Sequence, residues 1–385
     1  MQPSLLLIFE SPRKRKFYAN TLPPIGILGI AAYLRKRNIP VDVIDRNVDP
    51  DKKANLDSYD VIGFSINMAN VASSLESIRS VKRQNPKIKI IVGGPSCISN
   101  PQYFTRQEDI DAVCEGEGEE ALLEYVESQG CLGGKLIAGL YTRTKEGSCV
   151  YGGIRKHISD LDELPFPAFD AVSLRKYNVP IGKGFPVSGI VTSRGCPFQC
   201  IFCFHSMGHE WRARSSENVV NEIEWQVKTF GVKEICILDD NFSLDPVRAE
   251  RIFDMILKRQ IKVRFQFTHG LRIDALTPAL LKKMSQAGVW LLGIAPETGS
   301  SRINEEIKKN ADLGKFKQVV RWCQEVGINT FAFFMIGFPF ESMEDIQKTA
   351  AFIEALDADF IQLSRVTAFP GTPLYDLVGA DDEAV

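Results

Sequence analysis

Two stretches of the chain alternate short apolar runs with segments whose apolar residues recur at helical spacing. In the first stretch the apolar runs predict five strands, over residues 5–9, 41–44, 61–66, 88–92 and 112–114. Strands that alternate with helices pair in parallel and are covered on both faces, so this pattern predicts a doubly wound parallel five-stranded sheet. Ligands of such sheets bind beyond the C-terminal ends of the strands.

The second stretch begins at residue 187 and repeats the alternation six times. The predicted strands cover 187–192, 234–238, 264–268, 290–295, 330–336 and 360–367, and the predicted helices cover 216–230, 246–260, 278–287, 313–326 and 343–356. Six βα units that run in one direction predict a partial (β/α)6 parallel barrel. Its reactive face would lie at the C-terminal ends of the strands.

The segment between these stretches has a different pattern. Residues 131–153 predict a small β-hairpin, and the proline-punctuated sequence LDELPFP at 161–167 predicts a connector. We therefore expect a domain at 1–128, a hairpin and linker region at 129–186, and a second domain at 187–385.

Composition narrows the function classes. Lys and Arg number 46 and Asp and Glu 48, giving a net charge of −2, so a general basic surface for duplex nucleic acid is not expected. The apolar runs are too short for a transmembrane segment, and the N-terminus lacks the pattern of a signal peptide. A long chain with nine cysteines and no export signal favours free, metal-binding or catalytic thiols over disulfides, and a cytoplasmic location.

Three of the nine cysteines are concentrated in the sequence CPFQCIFC, a CxxxCxxC spacing formed by Cys196, Cys200 and Cys203. Thiolates at this spacing favour an iron–sulfur cluster or zinc. A structural zinc site needs a fourth ligand, which His205 or His209 could supply. Three thiolates on a four-iron cluster would instead leave one iron open to a small molecule.

The sequence TSRGCPFQCIFCFH resembles the cluster loop of radical S-adenosylmethionine (SAM) enzymes, and the resemblance extends over residues 187–373. It implies a TIM-type radical SAM barrel in which Cys196, Cys200 and Cys203 hold a [4Fe-4S] cluster. It also implies that reductive cleavage of SAM at the open iron yields a 5′-deoxyadenosyl radical. No catalytic residue beyond the cluster ligands is predicted.

The same resemblance implies SAM contacts after successive strands. Phe202 matches the position that packs near adenine, and Asp239 or Asp240 matches contacts to the SAM amino group. Glu297 matches ribose and carboxylate contacts. The remaining predicted contacts are Arg272, Gly337 and Pro339.

Residues 1–127 resemble the cobalamin (B12)-binding domain, of flavodoxin- or Rossmann-like fold, that precedes many radical SAM barrels. The matching segments are PPIGILGIAAYLRKRNIPVDVID, YDVIGFSINMAN, IIVGGPS and GEGE, and the predicted contacts are Ser65, Asn67, Gly93, Gly94, Gly116 and Glu117. Residues 1–150 contain no histidine, so a DxHxxG motif with an axial histidine is absent. The basic run 13–16 is a candidate contact for a phosphate or an anionic substrate.

The two resemblances together predict cobalamin-dependent C-methylation of an unactivated carbon. The expected partners are a small-molecule substrate and an electron donor such as flavodoxin or ferredoxin. One alternative is radical SAM cyclisation, rearrangement or C–C bond formation beside a degenerate or non-methylating cobalamin domain. A second alternative is a zinc-stabilised, non-enzymatic binding protein.

Overall fold

A computed structural model describes residues 4–12, 21–128, 130, 135–144 and 146–379. The basic run 13–16 lies outside these residues. The chain forms two compact units, one extending to Pro180 and the other beginning at Ile181. The division between the units falls inside the predicted linker region at 129–186, and the predicted domain boundaries at 128 and 187 stay predictions.

The first unit contains one sheet with the strand order β2-β1-β3-β4-β5-β6-β7. The strands are β1 (Leu5–Phe9), β2 (Val41–Asp45), β3 (Val61–Ser65), β4 (Lys89–Gly93), β5 (Ala112–Cys114), β6 (Leu140–Arg143) and β7 (Cys149–Tyr151). The first five strands are parallel, and their order is that of doubly wound flavodoxin-like folds, which confirms the predicted fold class. The sheet has seven strands rather than the predicted five, because the hairpin β6–β7 pairs antiparallel with the edge of β5.

Helices cover the parallel part of this sheet. They are α1 (Ile25–Arg35), α2 (Val71–Gln84), α3 (Pro95–Ser99), α4 (Pro101–Thr105) and α5 (Gly118–Glu127). The longest of them, α2, buries Leu75, Ile78 and Val81 at helical spacing in the same core as the strand residues Ile62 and Ile90. The buried face therefore follows the apolar periodicity of the sequence.

The second unit contains six parallel strands in the order β15-β14-β13-β12-β11-β8. A separate two-stranded antiparallel ribbon, β9 with β10, follows the first of them. The strands are β8 (Val187–Ile190), β9 (Ser193–Arg194), β10 (Arg212–Ala213), β11 (Glu234–Ile237), β12 (Arg264–Leu271), β13 (Val289–Glu297), β14 (Asn329–Ile336) and β15 (Phe360–Arg365). The predicted partial (β/α)6 barrel is confirmed.

The five helices predicted in this unit begin at the predicted residues, and two further short helices were not predicted. The helices are α6 (Ser216–Phe230), α7 (Pro246–Lys258), α8 (Pro278–Gln286), α9 (Ser301–Glu306), α10 (Leu313–Val326), α11 (Met343–Leu356) and α12 (Pro373–Val378). The side chain of Thr277 accepts a hydrogen bond from the backbone N–H of Leu280, and Pro278 occupies the first turn. Within the described ranges, no helix combines the length and apolarity needed to cross a bilayer.

Candidate active site

The cysteine loop lies between the two strands of the ribbon. Gly195 precedes the first cysteine with φ +86°, and a Cβ there would lie 2.2 Å from the carbonyl oxygen of Glu210. The backbone N–H of Cys196 donates to the carbonyl of Gly208 at 3.1 Å. Only glycine at position 195 permits this close approach, which fixes the start of the loop.

Ile201 anchors the other end of the loop. Its side chain is buried with Ile303, Ile307, Phe338 and Leu374. Its N–H donates to the carbonyl of Ile307 at 3.1 Å, and its carbonyl accepts from the N–H of Leu374 at 2.9 Å. The apolar residue inside CIFC therefore holds the loop while its neighbours Cys200 and Phe202 face a cavity.

The three cysteines line one cavity of about 280 Å³ at the C-terminal ends of the barrel strands. Four other residues predicted to contact SAM line the same cavity: Phe202, Asp240, Arg272 and Glu297. The remaining lining residues were not predicted, and they are Phe198, Thr268, His269, Gly270, Ala295, Lys309 and Phe333. The structure thus brings together residues that are far apart in sequence.

Two of the charged groups that line the cavity form an ion pair with each other. The Nζ of Lys309 lies 3.1 Å from Oε1 of Glu297, and both side chains are 10% exposed. Glu297 has φ +67°, a left-handed conformation that is uncommon outside glycine, at the point where the register between β13 and β14 shifts. Arg272 lies over the ring of Phe198 at 3.6 Å, and its Nε donates to Asp274 at 2.7 Å.

The two adjacent aspartates after β11 have different surroundings. Asp239 is buried, and its carboxylate accepts hydrogen bonds from the N–H and the Oγ1 of Thr192 and from the Oγ of Ser193, each at 2.6 Å. Burial raises the pKa of Asp239, while these hydrogen bonds oppose that rise. Asp240 lines the cavity instead. Of the two aspartates, Asp240 is therefore the one placed to contact a ligand there.

The segment 337–339, with the sequence Gly-Phe-Pro, follows β14 and contributes no lining residue to the cavity. The N–H of Gly337 donates to Oε2 of Glu341 at 2.5 Å, and Pro339 continues the same turn. Phe338 between them is buried, with its ring centroid 6.1 Å from that of Phe202. The segment supports Phe202 from behind, and the predicted contacts of Gly337 and Pro339 with SAM stay predictions.

The donor set at the cysteine loop consists of three thiols that line one cavity. No three His, Cys, Asp or Glu side chains in the described part of the chain converge closely enough to hold one metal ion. Desolvation raises the pKa of Cys196 and of Cys200. Three separated thiols around one cavity match a four-iron cluster with an open iron.

The predicted cobalamin contacts gather at the C-terminal edge of the first sheet. Ser65 ends β3 and Gly93 ends β4, and the two are register partners. Gly116 follows β5 with φ +108°, and no atom lies within 4 Å of the position that a Cβ would occupy there. This open space at the strand ends suits the approach of a flat ring.

Three other predicted contacts have structural interactions of their own. A Cβ on Gly94, which has φ +100°, would lie 2.8 Å from the carbonyl oxygen of Ile66. The Oδ1 of Asn67 accepts from the N–H of Ala69 at 3.0 Å, closing its own turn. The Oε2 of Glu117 accepts from the N–H of Ile158 at 2.8 Å. Their contacts with cobalamin stay predictions.

Asn70 is a residue at this edge that the sequence analysis missed. It is buried, and its Nδ2 donates to the carbonyls of Glu10 and Ser65 at 3.1 and 3.2 Å. It thereby joins the loops that follow β1 and β3. An asparagine directly before a predicted helix was a usable signal, but its backbone partners after β1 and β3 are apparent only in the structure.

Comparisons with known proteins agree with this architecture. Residues 190–353 match the radical SAM superfamily model, and residues 18–126 match the B12 binding domain model. The chain is 30% identical to an uncharacterised methyltransferase of Pyrococcus horikoshii, over 97% of this chain and 82% of that protein. It is 26% identical to the cytidylyl-2-hydroxyethylphosphonate methyltransferase of Streptomyces wedmorensis, over 90% of this chain and 76% of that one.

Solved structures show the same fold. The radical SAM methyltransferase TsrM of Kitasatospora setae, with cobalamin and a [4Fe-4S] cluster bound, has a TM-score of 0.78 at 19% identity, covering 97% of this chain and 77% of that one. The cobalamin-dependent SAM radical enzyme OxsB, with aqua-cobalamin bound, has a TM-score of 0.76 at 23% identity, covering 99% of this chain and 56% of that one. The chain belongs to the radical SAM superfamily and carries a B12-binding domain. It is an enzyme whose cofactors are a [4Fe-4S] cluster, SAM and cobalamin, and the zinc-stabilised binding protein is not favoured.

Proposed function

We propose that the protein is a cobalamin-dependent radical SAM methyltransferase that methylates an unactivated carbon. The observation that carries the proposal is the presence, in one chain, of a B12-binding domain and a cavity lined by the CxxxCxxC cysteines. The methyltransferase names of relatives that span most of the chain support it. Relatives named as cyclases exist at 24% identity, so the test below separates methylation from other radical chemistry.

The bound cofactors supply the difficult chemistry, since the cluster provides the electron that cleaves SAM and cobalamin carries the methyl group. The protein's own residues hold the reactants. Cys196, Cys200 and Cys203 would ligate the cluster and leave one iron without a protein ligand. That iron would be available to bind the methionine end of SAM.

The charges of the cavity suit a zwitterionic ligand. Two carboxylates, on Asp240 and Glu297, and two cations, on Arg272 and Lys309, line the same space. SAM carries one carboxylate, one ammonium and one sulfonium. Each cation already has a carboxylate partner, Lys309 in Glu297 and Arg272 in Asp274. We assign Lys309 to the SAM carboxylate because its partner also lines the cavity and can bind SAM in turn, whereas Asp274 does not line it.

The carboxylates have complementary roles in this arrangement. Asp240 and Glu297 would bind the ammonium and the ribose hydroxyls, while the rings of Phe198, Phe202 and Phe333 form the apolar wall beside the adenine. Apolar walls exclude water from the cavity and strengthen each charged contact within it. A radical formed there is thereby kept from solvent.

The substrate and the electron donor complete the proposal. We infer a small-molecule substrate and a low-potential donor such as flavodoxin or ferredoxin. An oxygen-sensitive cluster with an open iron requires a reducing environment, which favours the cytoplasm.

Anaerobic reconstitution of the full chain with iron, sulfide and hydroxocobalamin tests the proposal. SAM and a chemical reductant are then added, and 5′-deoxyadenosine and S-adenosylhomocysteine are quantified. Both products are expected. Formation of 5′-deoxyadenosine alone, by a protein that does not bind hydroxocobalamin, would instead support cyclisation, rearrangement or C–C bond formation.

A further inference from the structure

A second cavity lies against the cysteine loop. Its volume is about 320 Å³, and it shares Cys200 and Cys203 with the cavity described above. Its other lining residues are Gln199, Phe204, His205, His209, Lys308, Gly371 and Pro373. Two of the three proposed cluster ligands therefore separate one cavity from the other.

The backbone at Lys308 and Lys309 directs one lysine to each cavity. Lys308 lines the second cavity and Lys309 the first. Lys308 has φ +54°, and its carbonyl oxygen lies 3.8 Å from the Sγ of Cys200. This left-handed residue joins the turn after α9 to the cysteine loop.

The lining of the second cavity combines apolar and polar side chains and carries one positive charge. Lys308 is the one charged side chain among its lining residues, all of which are described, and none of them is a carboxylate. The rings of His205 and His209 lie with their centroids 4.1 Å apart at 33°. Cys203 is solvent exposed. The cavity thus presents a cation and a flat aromatic pair beside an exposed proposed cluster ligand.

An electron must reach the cluster from a side that SAM does not occupy. The first cavity contains the charged groups that suit SAM, so a donor protein is blocked there once SAM is bound. Electron transfer slows steeply with distance, which favours the surface nearest to the cysteine sulfurs. The second cavity meets both requirements.

We propose that the surface formed by Cys200, Cys203, His205, His209 and Lys308 is the docking face for an acidic one-electron donor protein. This inference rests on the proposed function, because it assumes a cluster at the three cysteines. In each encounter the donor loses one electron and the cluster gains one, and no atom or proton is transferred between the two proteins. Complementary charge steers such an encounter and makes it weaker at high salt.

The test measures donor binding separately from SAM cleavage. The affinity of flavodoxin for the reconstituted full chain is measured by surface plasmon resonance at low and at high salt, for wild type, Lys308→Glu and His209→Glu. Lys282→Glu, an exposed position on α8, is the matched control. We expect the Kd to rise by about tenfold in the Lys308→Glu and His209→Glu variants, and to be unchanged in the control.

SAM cleavage driven by dithionite provides the second measurement, because a small reductant needs no docking face. We expect Lys308→Glu to cleave SAM at the wild-type rate with dithionite and more slowly with flavodoxin. Equal flavodoxin affinity in wild type and Lys308→Glu would overturn the docking face, as would loss of binding in the control alone. Failure of wild type to cleave SAM with dithionite would instead overturn the proposed function, whatever the flavodoxin affinities are.

Discussion

The Nζ of Lys309 lies 3.1 Å from Oε1 of Glu297 within the cavity that the three cysteines line. Because both side chains are largely buried, removing either charge leaves the other one uncompensated. The pair is therefore stable only while both charges are present, or when a ligand of matching charge replaces one partner. SAM supplies both kinds of charge.

Replacing Lys309 tests its role as partner of the SAM carboxylate. We expect Lys309→Met to raise the Kd for SAM by about tenfold or more, because a hydrogen bond between charged groups contributes about 1.5–3 kcal/mol. Equilibrium dialysis with the reconstituted enzyme measures this. Lys308→Met is the adjacent control, since that side chain lines the other cavity.

A double variant separates stability from binding. Lys309→Met should lower the melting temperature, and Lys309→Met with Glu297→Gln should restore it while SAM affinity stays low. Recovery of SAM affinity in the double variant would contradict the assignment of Lys309 to the ligand.

We expect Asp239 to stabilise the fold and the adjacent Asp240 to bind SAM. Asp239→Ala removes the acceptor of two buried donors of Thr192, its N–H and its Oγ1, and the shorter of the two hydrogen bonds of the Ser193 Oγ. It should cost about 1–3 kcal/mol of stability. Asp240→Asn should leave the melting temperature unchanged and weaken SAM binding. Thermal unfolding and SAM dialysis on both variants check this, and the reverse pattern would show that Asp239 is the ligand-binding residue.

Replacing Gly94 tests whether this predicted cobalamin contact is also required for the fold. Its left-handed backbone and its closeness to Ile66 predict that Gly94→Ala destabilises the first unit by about 1–3 kcal/mol. Gly26→Ala in α1 is the control, because a Cβ there meets nothing within 4 Å and alanine favours helices. Urea unfolding without cobalamin measures both. If Gly94→Ala is as stable as wild type, the fold does not require glycine at this position, and contact with cobalamin would be its remaining role.

Asp345 makes the barrel sensitive to acid. Its carboxylate caps α11 through Ser342 and pairs with Arg302, and these contacts together with Ser300 hold its pKa well below the usual range. A lowered pKa in the folded state means that the stabilisation is complete above the ordinary value, about pH 4, and is lost as the pH falls below it.

The expected result is a steeper loss of stability below about pH 4 in wild type than in Asp345→Asn. Urea midpoints across this range provide the measurement. Glu344→Gln, at an exposed position in the same turn, should retain the wild-type pH dependence. Parallel pH curves for wild type and Asp345→Asn would contradict this role.

Local patterns in the sequence were sufficient to predict most of the fold. Strands that alternate with capped helices can pair in few ways, and the parallel strands of both units follow from that pattern. The pairing of β6 with β5 could not be predicted, because antiparallel pairing between distant segments leaves no local periodicity.

The candidate site was predictable only where cysteine spacing or the resemblance to radical SAM enzymes carried the signal. The CxxxCxxC spacing indicated the loop, and the resemblance implied Arg272 and Glu297. Lys309 had no such signal, because a left-handed turn at Lys308 brings it to the cavity. Sequence could not choose between Asp239 and Asp240, because successive residues point in opposite directions and only the packing decides which one is buried.

The measurement that tests the central claim most directly is product analysis of the anaerobically reconstituted enzyme and its cysteine variants. Wild type should bind about four irons per chain and form both 5′-deoxyadenosine and S-adenosylhomocysteine from SAM. Cys196→Ala, Cys200→Ala and Cys203→Ala should each lose the cluster and 5′-deoxyadenosine, whereas Cys149→Ser in the first unit should retain both. Wild type that binds a single zinc ion, or a Cys200→Ala variant that still cleaves SAM to 5′-deoxyadenosine, would contradict the account.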